Sequence, residues 1–303
     1  MSAGRGARGG EAPPAALRAI AVLLAGVLLL GVMGALIKTL LPRYPAPELA
    51  AFRNVFGLIP TVAMLWMSAD WRARGRPLAL KRWRLATLRG VMVAFAQFFF
   101  YSALLRLEFA TVSTLVSATP LFVTALSVPV LSQRVGAWRW SAVAAGFAGA
   151  VMIIGPGTPQ FSWAALLPLA AALCYAGSTI TAPLFGREAP TPLINAWSSG
   201  GALIGALLLA AATTGFVPIA SAQDAALIAA MGMVGGSGVL CLIFAYRMAR
   251  PATLTPFEYF GIPFSFLIGW IAFGEAPIER LFPGVLLIVG AGLAIVWRER
   301  ARA

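Results

Sequence analysis

Three ionisable side chains stand inside stretches otherwise suited to hydrocarbon: Lys38 in "MGALIKTL", Arg53 in "LAAFRNVFGL" and Glu258 in "TPFEYFGIPF". Moving a charge into an apolar medium carries a large desolvation cost, so each needs a partner, a proton or a wet cavity. Glu258 could take up and release a proton, or stay ionised and hold an ammonium or sulfonium group. As a purely structural carboxyl it would instead be protonated or capped by a neighbouring hydroxyl. Arg53 could clamp a carboxylate or phosphate in a bidentate fork, or simply pair with Glu48. Lys38 lies near the end of its run, where it could meet a substrate or snorkel to water.

At 100° per residue, Glu258 shares a helical face with Thr255, Ile262, Ser265 and Gly269. Tyr259, Phe266 and Trp270 form an adjoining aromatic strip, and together the two strips are expected to make one wall of a pocket. Neutral groups that could complete it are Gln97 and Tyr101, then Ser113, Thr114 and Ser117, then Tyr175, Ser178 and Thr179. Hydrogen bonding between helices is the plainer use of the small hydroxyls.

Other chemistry is poorly supplied. The chain has no histidine, so Ser-His and His-metal sites are excluded, and it shows no clustered pair of carboxylates. A Ser-Lys dyad on Lys38 is the one enzyme arrangement left on paper. No Gly-x-x-x-x-Gly-Lys-Ser/Thr pattern occurs, so energy would come from a gradient or a separate subunit. Cys174 and Cys241 match no ligand or disulfide spacing and read as packing residues. The expectation is a non-enzyme with no bound cofactor.

The elements that must position these residues are membrane helices. Of 303 residues, 60% are hydrophobic and 11% charged, against roughly 45–50% apolar and 25% charged in a globular protein. Runs of about 20 apolar residues, enough to cross about 30 Å of hydrocarbon, fall at Ile20–Leu40, Leu49–Ser68, Leu85–Leu107, Ala110–Leu131, Ala137–Gly155, Trp163–Phe185, Leu193–Ala212, Ala225–Met248, Ala252–Phe273 and Leu281–Trp297. The first run reads as a span, not a cleaved signal, because it is long and nine more follow. Residues 1–17, rich in Gly, Ala and Arg, read as a disordered cytoplasmic tail. By depth along their spans, Glu258 lies roughly 10 Å from one boundary and Arg53 roughly 8 Å from the other.

The net charge of +13 could suggest an anionic partner such as nucleic acid, but its distribution argues otherwise. With alternating spans, Arg72, Arg74, Arg76, Lys81, Arg82, Arg84 and Arg89 gather on one side with Arg134, Arg139, Arg187, Arg247, Arg250, Arg298, Arg300 and Arg302. The other side keeps Arg43, Arg106 and Arg280. The positive-inside rule then puts both termini in the cytoplasm. Trp66, Trp71, Trp138, Trp163 and Trp297 fall near boundaries and read as interface anchors.

Sliding the chain on itself by 142 residues lays "ATVSTLVSATPLFVTALSVPVLSQ" (Ala110–Gln133) over "ATLTPFEYFGIPFSFLIGWIAFGE" (Ala252–Glu275). Each copy carries an internal proline, Pro120 or Pro263, and is followed by a small-residue helix. Residues 18–156 and 163–298 thus read as two five-helix repeats. Five being odd, the second enters the membrane inverted relative to the first, an arrangement suited to alternating access.

These stretches resemble the EamA family of the drug/metabolite transporter superfamily. The resemblance rests on "MGALIKTL", "YPAPELAAFRNVFGL", "FFFYSALLRLEFATVSTLVSATPLFVTALS" and "LIGWIAFGEAP", over about Ala19 to Arg298. It implies an all-α, ten-helix carrier of the bacterial inner membrane, most often an exporter of amino-acid-derived or zwitterionic metabolites such as opine metallophores. The branch of S-adenosylmethionine uptake carriers is nearest in look, which makes uptake of a nucleoside-like or flavin-like compound the second expectation; a riboflavin-like substrate would call on Tyr259, Phe266 and Trp270 for stacking. A lipid flippase or channel is the alternative of another class, and protons as coupling ion and a homodimer are both compatible with the family. One departure stands out: the Gly-Glu pair that closes the fourth span of each half is present as Gly274 and Glu275, but the first half has Ser132 and Gln133.

Overall fold

The structure is a computed structural model that describes residues 13–132, 135–158, 161–185, 189–249 and 251–300, and all regular structure among them is helical. In chain order the α-helices are α1 (Pro13–Leu40), α2 (Ala46–Met67), a short α3 (Ala69–Ala73), α4 (Trp83–Leu104), α5 (Phe109–Val116), α6 (Thr119–Leu131), α7 (Ala137–Ile154), α8 (Leu166–Ile180), α9 (Thr191–Thr213), α10 (Ala222–Met248), α11 (Pro251–Glu258), α12 (Gly261–Phe273), a short α13 (Ile278–Leu281) and α14 (Gly284–Arg300).

Among the described residues, nine stretches are long and apolar enough to cross a membrane, and they match the first nine expected runs to within a few residues. The tenth run does not form one long helix. It begins in α13, turns at Phe282 and Pro283, and continues as α14, whose apolar part is Gly284–Ile295. Helix α1 starts at Pro13, inside the stretch expected to be a tail. Residues 1–12, Gln133, Arg134, Arg187, Arg250 and Arg302 lie outside the described residues, as do the side chains of Arg298 and Arg300.

Two spans expected to be continuous are each broken in the middle. Helix α5 gives way to α6 at Ser117–Ala118, and α11 gives way to α12 at Tyr259–Phe260. Proline explains both breaks. Pro120 has no N–H with which to bond the Val116 carbonyl in the α pattern, and the Thr119 hydroxyl donates to that carbonyl instead, at 2.6 Å. Pro263 leaves the Tyr259 carbonyl in the same position, and the Ile262 amide donates to it at 3.0 Å in a tighter turn.

The breaks obey the 142-residue register throughout. Phe109 becomes Pro251, Val116 becomes Glu258, Thr119 becomes Gly261 and Leu131 becomes Phe273, which are the starts and ends of the four half-helices. The register extends to the caps, since Ser132 and Gly274 close their helices in the left-handed region at φ 53° and 68°.

Packing is tight where side chains are small. Helix α1 lies along α10, α4 along α8 and α9, α2 along α9 and α10, and α7 along α14. The two termini of each span gather at opposite ends of the bundle. At one end, Trp197 Nε1 donates to the Leu78 carbonyl at 2.9 Å and Arg82 donates to the Leu184 carbonyl. That end also buries Trp71, which is 4% exposed and donates to the Pro77 carbonyl at 2.8 Å, so it is a packing residue and not the interface anchor expected of it. Trp66, Trp138, Trp163 and Trp297 are exposed, as anchors must be.

The α4–α9 contact yields a pair of opposite predictions. A Cβ on Gly90 would lie 2.0 Å from the Ser198 carbonyl oxygen and 2.5 Å from the Ala202 nitrogen, both backbone, whereas a Cβ on Gly200 meets nothing within 4 Å. Gly90→Ala should therefore lower the midpoint of thermal unfolding in detergent, at a cost of about 1–3 kcal/mol. Gly200→Ala should leave it unchanged or raise it slightly, by up to about 1 kcal/mol of helix propensity. Fluorescence-detected size-exclusion chromatography after heating reads both.

Candidate functional site

The two helix breaks border one central cavity of about 380 Å³. Its polar lining comes from Arg53 on α2, Tyr101 on α4, Ser113 on α5, Ser117 at the first break, Tyr175 on α8, Glu258 at the second break and Ser265 on α12. Its apolar lining includes Met33, Phe100, Phe109 and Leu242. Residues about 200 apart in sequence thus face the same space. A second cavity of about 870 Å³ shares Val116, Ser117 and Glu258 with the first and adds Thr179, Tyr246, Thr255 and Tyr259.

One terminal nitrogen of Arg53 donates to the Asn54 side-chain oxygen at 3.0 Å, while its Nε has no hydrogen-bond partner among the described residues. Asn54 is held in turn by Gln97, which accepts from it at 2.8 Å and donates back at 3.3 Å. The expected Arg53–Glu48 pair does not form: Glu48 is fully buried and accepts the Val217 amide at 3.1 Å. Among the described residues no ion pair involves Arg53. The Tyr101 hydroxyl, buried beside the cavity, also lacks a partner. Guanidinium and phenol therefore offer donors to whatever fills the space, since buried polar groups are normally satisfied.

Glu258 has one firm partner. The Tyr246 hydroxyl donates to its Oε1 at 2.6 Å, a short charge-assisted geometry when the carboxyl is ionised. Tyr246 was not among the residues singled out from sequence, and nothing in its position twelve residues upstream marks it. The contact joins two helices that are consecutive in the chain, α10 and α11, and that touch one another.

Of the residues expected at the site, Arg53, Tyr101, Ser113, Ser117, Tyr175 and Glu258 line the central cavity. Tyr259 lines the adjoining one. Gln97 is 2% exposed behind Arg53 and acts on the cavity only through Asn54. Phe266 packs against the hydrophobic core. Trp270 points away from the bundle, 59% exposed. The aromatic strip does not form one wall: of its three residues only Tyr259 borders either cavity, whereas Ser265, on Glu258's face of the same helical wheel, lines the central one.

Lys38 is engaged elsewhere. It is ion-paired with Glu275, donates to the Leu107 carbonyl at 3.2 Å, and sits 5.1 Å from the centre of the Phe273 ring. Glu275 also accepts the Phe109 amide at 2.7 Å, the first N–H of α5. This knot ties α1, α5 and the end of α12 at the end of the bundle opposite Trp197. Nearby, Asp224 is ion-paired with Arg43 and accepts the Tyr44 hydroxyl at 2.8 Å, and that hydroxyl accepts the Ala220 amide at 2.9 Å. The larger cavity lies on the other side, toward the ends of α8 and α10. One end of the bundle is tied together by these contacts and the other holds the wider space.

A bundle of membrane-length helices around a cavity lined by both charge and aromatic surface defines a multi-span membrane protein with an internal chamber. Residues 17–155 match the EamA-like transporter family, so that segment is similar to an EamA domain of the drug/metabolite transporter superfamily. A riboflavin transporter of Rhizobium johnstonii is 37% identical over 191 residues, 62% of this chain and 62% of that one, so the match spans less than two thirds of that relative. A pseudopaline exporter of Pseudomonas aeruginosa is 26% identical over 87% of this chain and 90% of its own length. An S-adenosylmethionine uptake transporter of Rickettsia prowazekii is 24% identical over 87% of each. One solved crystal structure shares the fold, with a TM-score of 0.62 at 20% identity, over 94% of this chain and 99% of that one.

The knot at Lys38 predicts non-additive stability. Lys38→Met leaves Glu275 without its cation and should cost about 2 kcal/mol or more, whereas Lys38→Met combined with Glu275→Leu should cost less than the sum of the two single changes. Thermal unfolding of the four proteins in one detergent checks the cycle.

Proposed function

We propose that this protein is a secondary carrier that moves a small organic metabolite across the inner membrane by alternating access, with the chamber between the two helix breaks as its binding site. The observation that carries the reading is the single cavity in which Arg53, Tyr101, Tyr175, Ser117 and Glu258 converge from five different segments. Two inverted repeats, residues 18–156 and 163–298, supply the moving parts. Supporting this, exchange of the halves turns the α1–α10 contact into α8–α4 and the α4–α9 contact into α10–α2, and leaves α2–α9 and α7–α14 unchanged. A twofold relation between halves has that consequence. With the basic segments cytoplasmic, the knot of Lys38, Glu275 and Phe109 closes the outer side and the wider cavity faces in.

The substrate class follows from size and lining. A chamber of about 380 Å³ falls in the range of drug-sized ligands, and a free amino acid would leave most of it empty. We therefore place a ring-bearing compound of nucleoside to flavin size ahead of an amino acid, with uptake or export set by the gradient. Phe100, Tyr101, Phe109 and Tyr175 supply aromatic surface, and Arg53 with Ser113, Ser117 and Ser265 supplies polar contacts. A zwitterionic substrate is the second reading, favoured by Arg53 and Glu258 lining one space. Glu258, alternately bonded to Tyr246 and open to solvent, is the group through which protons would couple.

Reconstituted into proteoliposomes, the protein should exchange riboflavin or S-adenosylmethionine across the membrane. Arg53→Gln should lower exchange at least tenfold for a zwitterion, while Tyr101→Ala should do more damage than Arg53→Gln for a flavin. Trp270→Ala should leave either unchanged. Glu258→Gln should abolish accumulation driven by a pH gradient and preserve gradient-free counterflow; normal accumulation in that variant sinks the coupling role. Absence of saturable solute exchange alongside lipid scrambling sinks the carrier reading itself.

A further inference from the structure

On the outer surface of the bundle, α4 and α9 enclose an apolar groove of about 300 Å³, lined by Leu65, Leu78, Thr87, Trp197, Gly200 and Ile204 among others. The groove exists because α9 carries glycine at 200 and 201. Gly201 lets the two backbones approach, its missing Cβ being 2.5 Å from the Thr87 carbonyl oxygen, and Gly200 leaves the space beside it open. Its rim is built from indoles: Trp83 and Trp197 lie 6.2 Å apart, and Trp197 Nε1 holds the Leu78 carbonyl at 2.9 Å. Tryptophan at such a level marks the boundary between hydrocarbon and headgroups.

Beyond that rim the charge is one-sided. Residues 68–84 carry Arg72, Arg74, Arg76, Lys81, Arg82 and Arg84 against a lone carboxylate, Asp70, which Arg74 already binds at 3.0 Å. Topology would be served by cations anywhere in this segment. Here Lys81 and Arg84 are exposed at the start of α4, and Arg84 sits one turn from Thr87 in the groove, with its guanidinium 5.5 Å from the Trp83 ring.

We propose that this groove is a binding site for an anionic phospholipid, with one acyl chain along Gly200 and Ile204 and the phosphate against Lys81 and Arg84. Charge complementarity at the rim selects the occupant: bulk lipid would fill any apolar groove, but only an anionic headgroup meets these cations. A groove of about 290 Å³ between α7 and α14, open at Gly290, provides the internal comparison.

The test uses the full chain in detergent, titrated with dioleoyl phosphatidylglycerol, dioleoyl phosphatidylcholine or inorganic phosphate, and read by native mass spectrometry and thermal unfolding. The wild type should retain the glycerol lipid about tenfold better than the choline lipid, about the selectivity expected of one or two basic contacts. Lys81→Gln with Arg84→Gln should erase that preference. Gly200→Leu should also lose it, whereas Gly290→Leu should keep it. Equal retention of the two lipids by the wild type overturns the proposal, as does an unchanged preference in Gly200→Leu. Inorganic phosphate reproducing the thermal shift would equally overturn it, and so would conversion of a dimer to a monomer by Gly200→Leu, which would give the groove to a second copy. Should Gly200→Leu fail to fold, the surface pair at 81 and 84 decides the matter alone.

Discussion

Hydrocarbon offers no water to an unpaired peptide group, so a membrane helix can be interrupted only where protein or a wet cavity covers the break. Two interruptions, at Ser117–Ala118 and Tyr259–Phe260, meet that condition by sharing one cavity. Pro120 and Pro263 create them, and local donors repair most of the damage: the Thr119 hydroxyl at one break, the Ile262 amide at the other. The remaining helices pack around this paired defect.

The backbone is close to repeated, but the side chains that matter are not. At the shift of 142, Glu258 takes the place of Val116 and Tyr259 that of Ser117, so one break is ionisable and the other is not. The same one-sidedness governs the end of the bundle. Glu275 takes Lys38 and the Phe109 amide together, while its counterpart in the first repeat, Gln133, has no charge to offer. In the proposed alternating-access reading, exchange of the two halves needs a symmetric frame, and a substrate that enters one way up needs an asymmetric lining. Both are present in the same pair of helices.

Much of this was legible in sequence because it depends on local rules. Hydropathy placed ten spans, of which the first nine match membrane-length helices and the tenth is broken at Phe282 and Pro283, and the 142-residue register anticipated where the half-helices correspond. Desolvation singled out Arg53 and Glu258, which do line one chamber. Sequence reasoning failed where neighbouring helices decide what each face meets. The helical wheel joined Ser265 to Glu258, which do line one cavity, but it also assigned Phe266 and Trp270 to a wall they do not form, and Tyr246 went unseen because its partner comes from a different helix. Lys38 was a charge without a known partner until the end of α12 came alongside it.

What the sequence determined by itself is therefore the medium and the spacing: a chain too apolar for water, cut into spans by its charges and prolines, with three ionisable groups that hydrocarbon will not accept unaided. Tertiary structure decided which of those groups meet. Arg53 and Glu258 share a cavity, Lys38 finds Glu275, and Glu48 turns to Val217. The reason is physical: the cost of burying a charge is a property of the residue, whereas its compensation depends on which helices pack side by side.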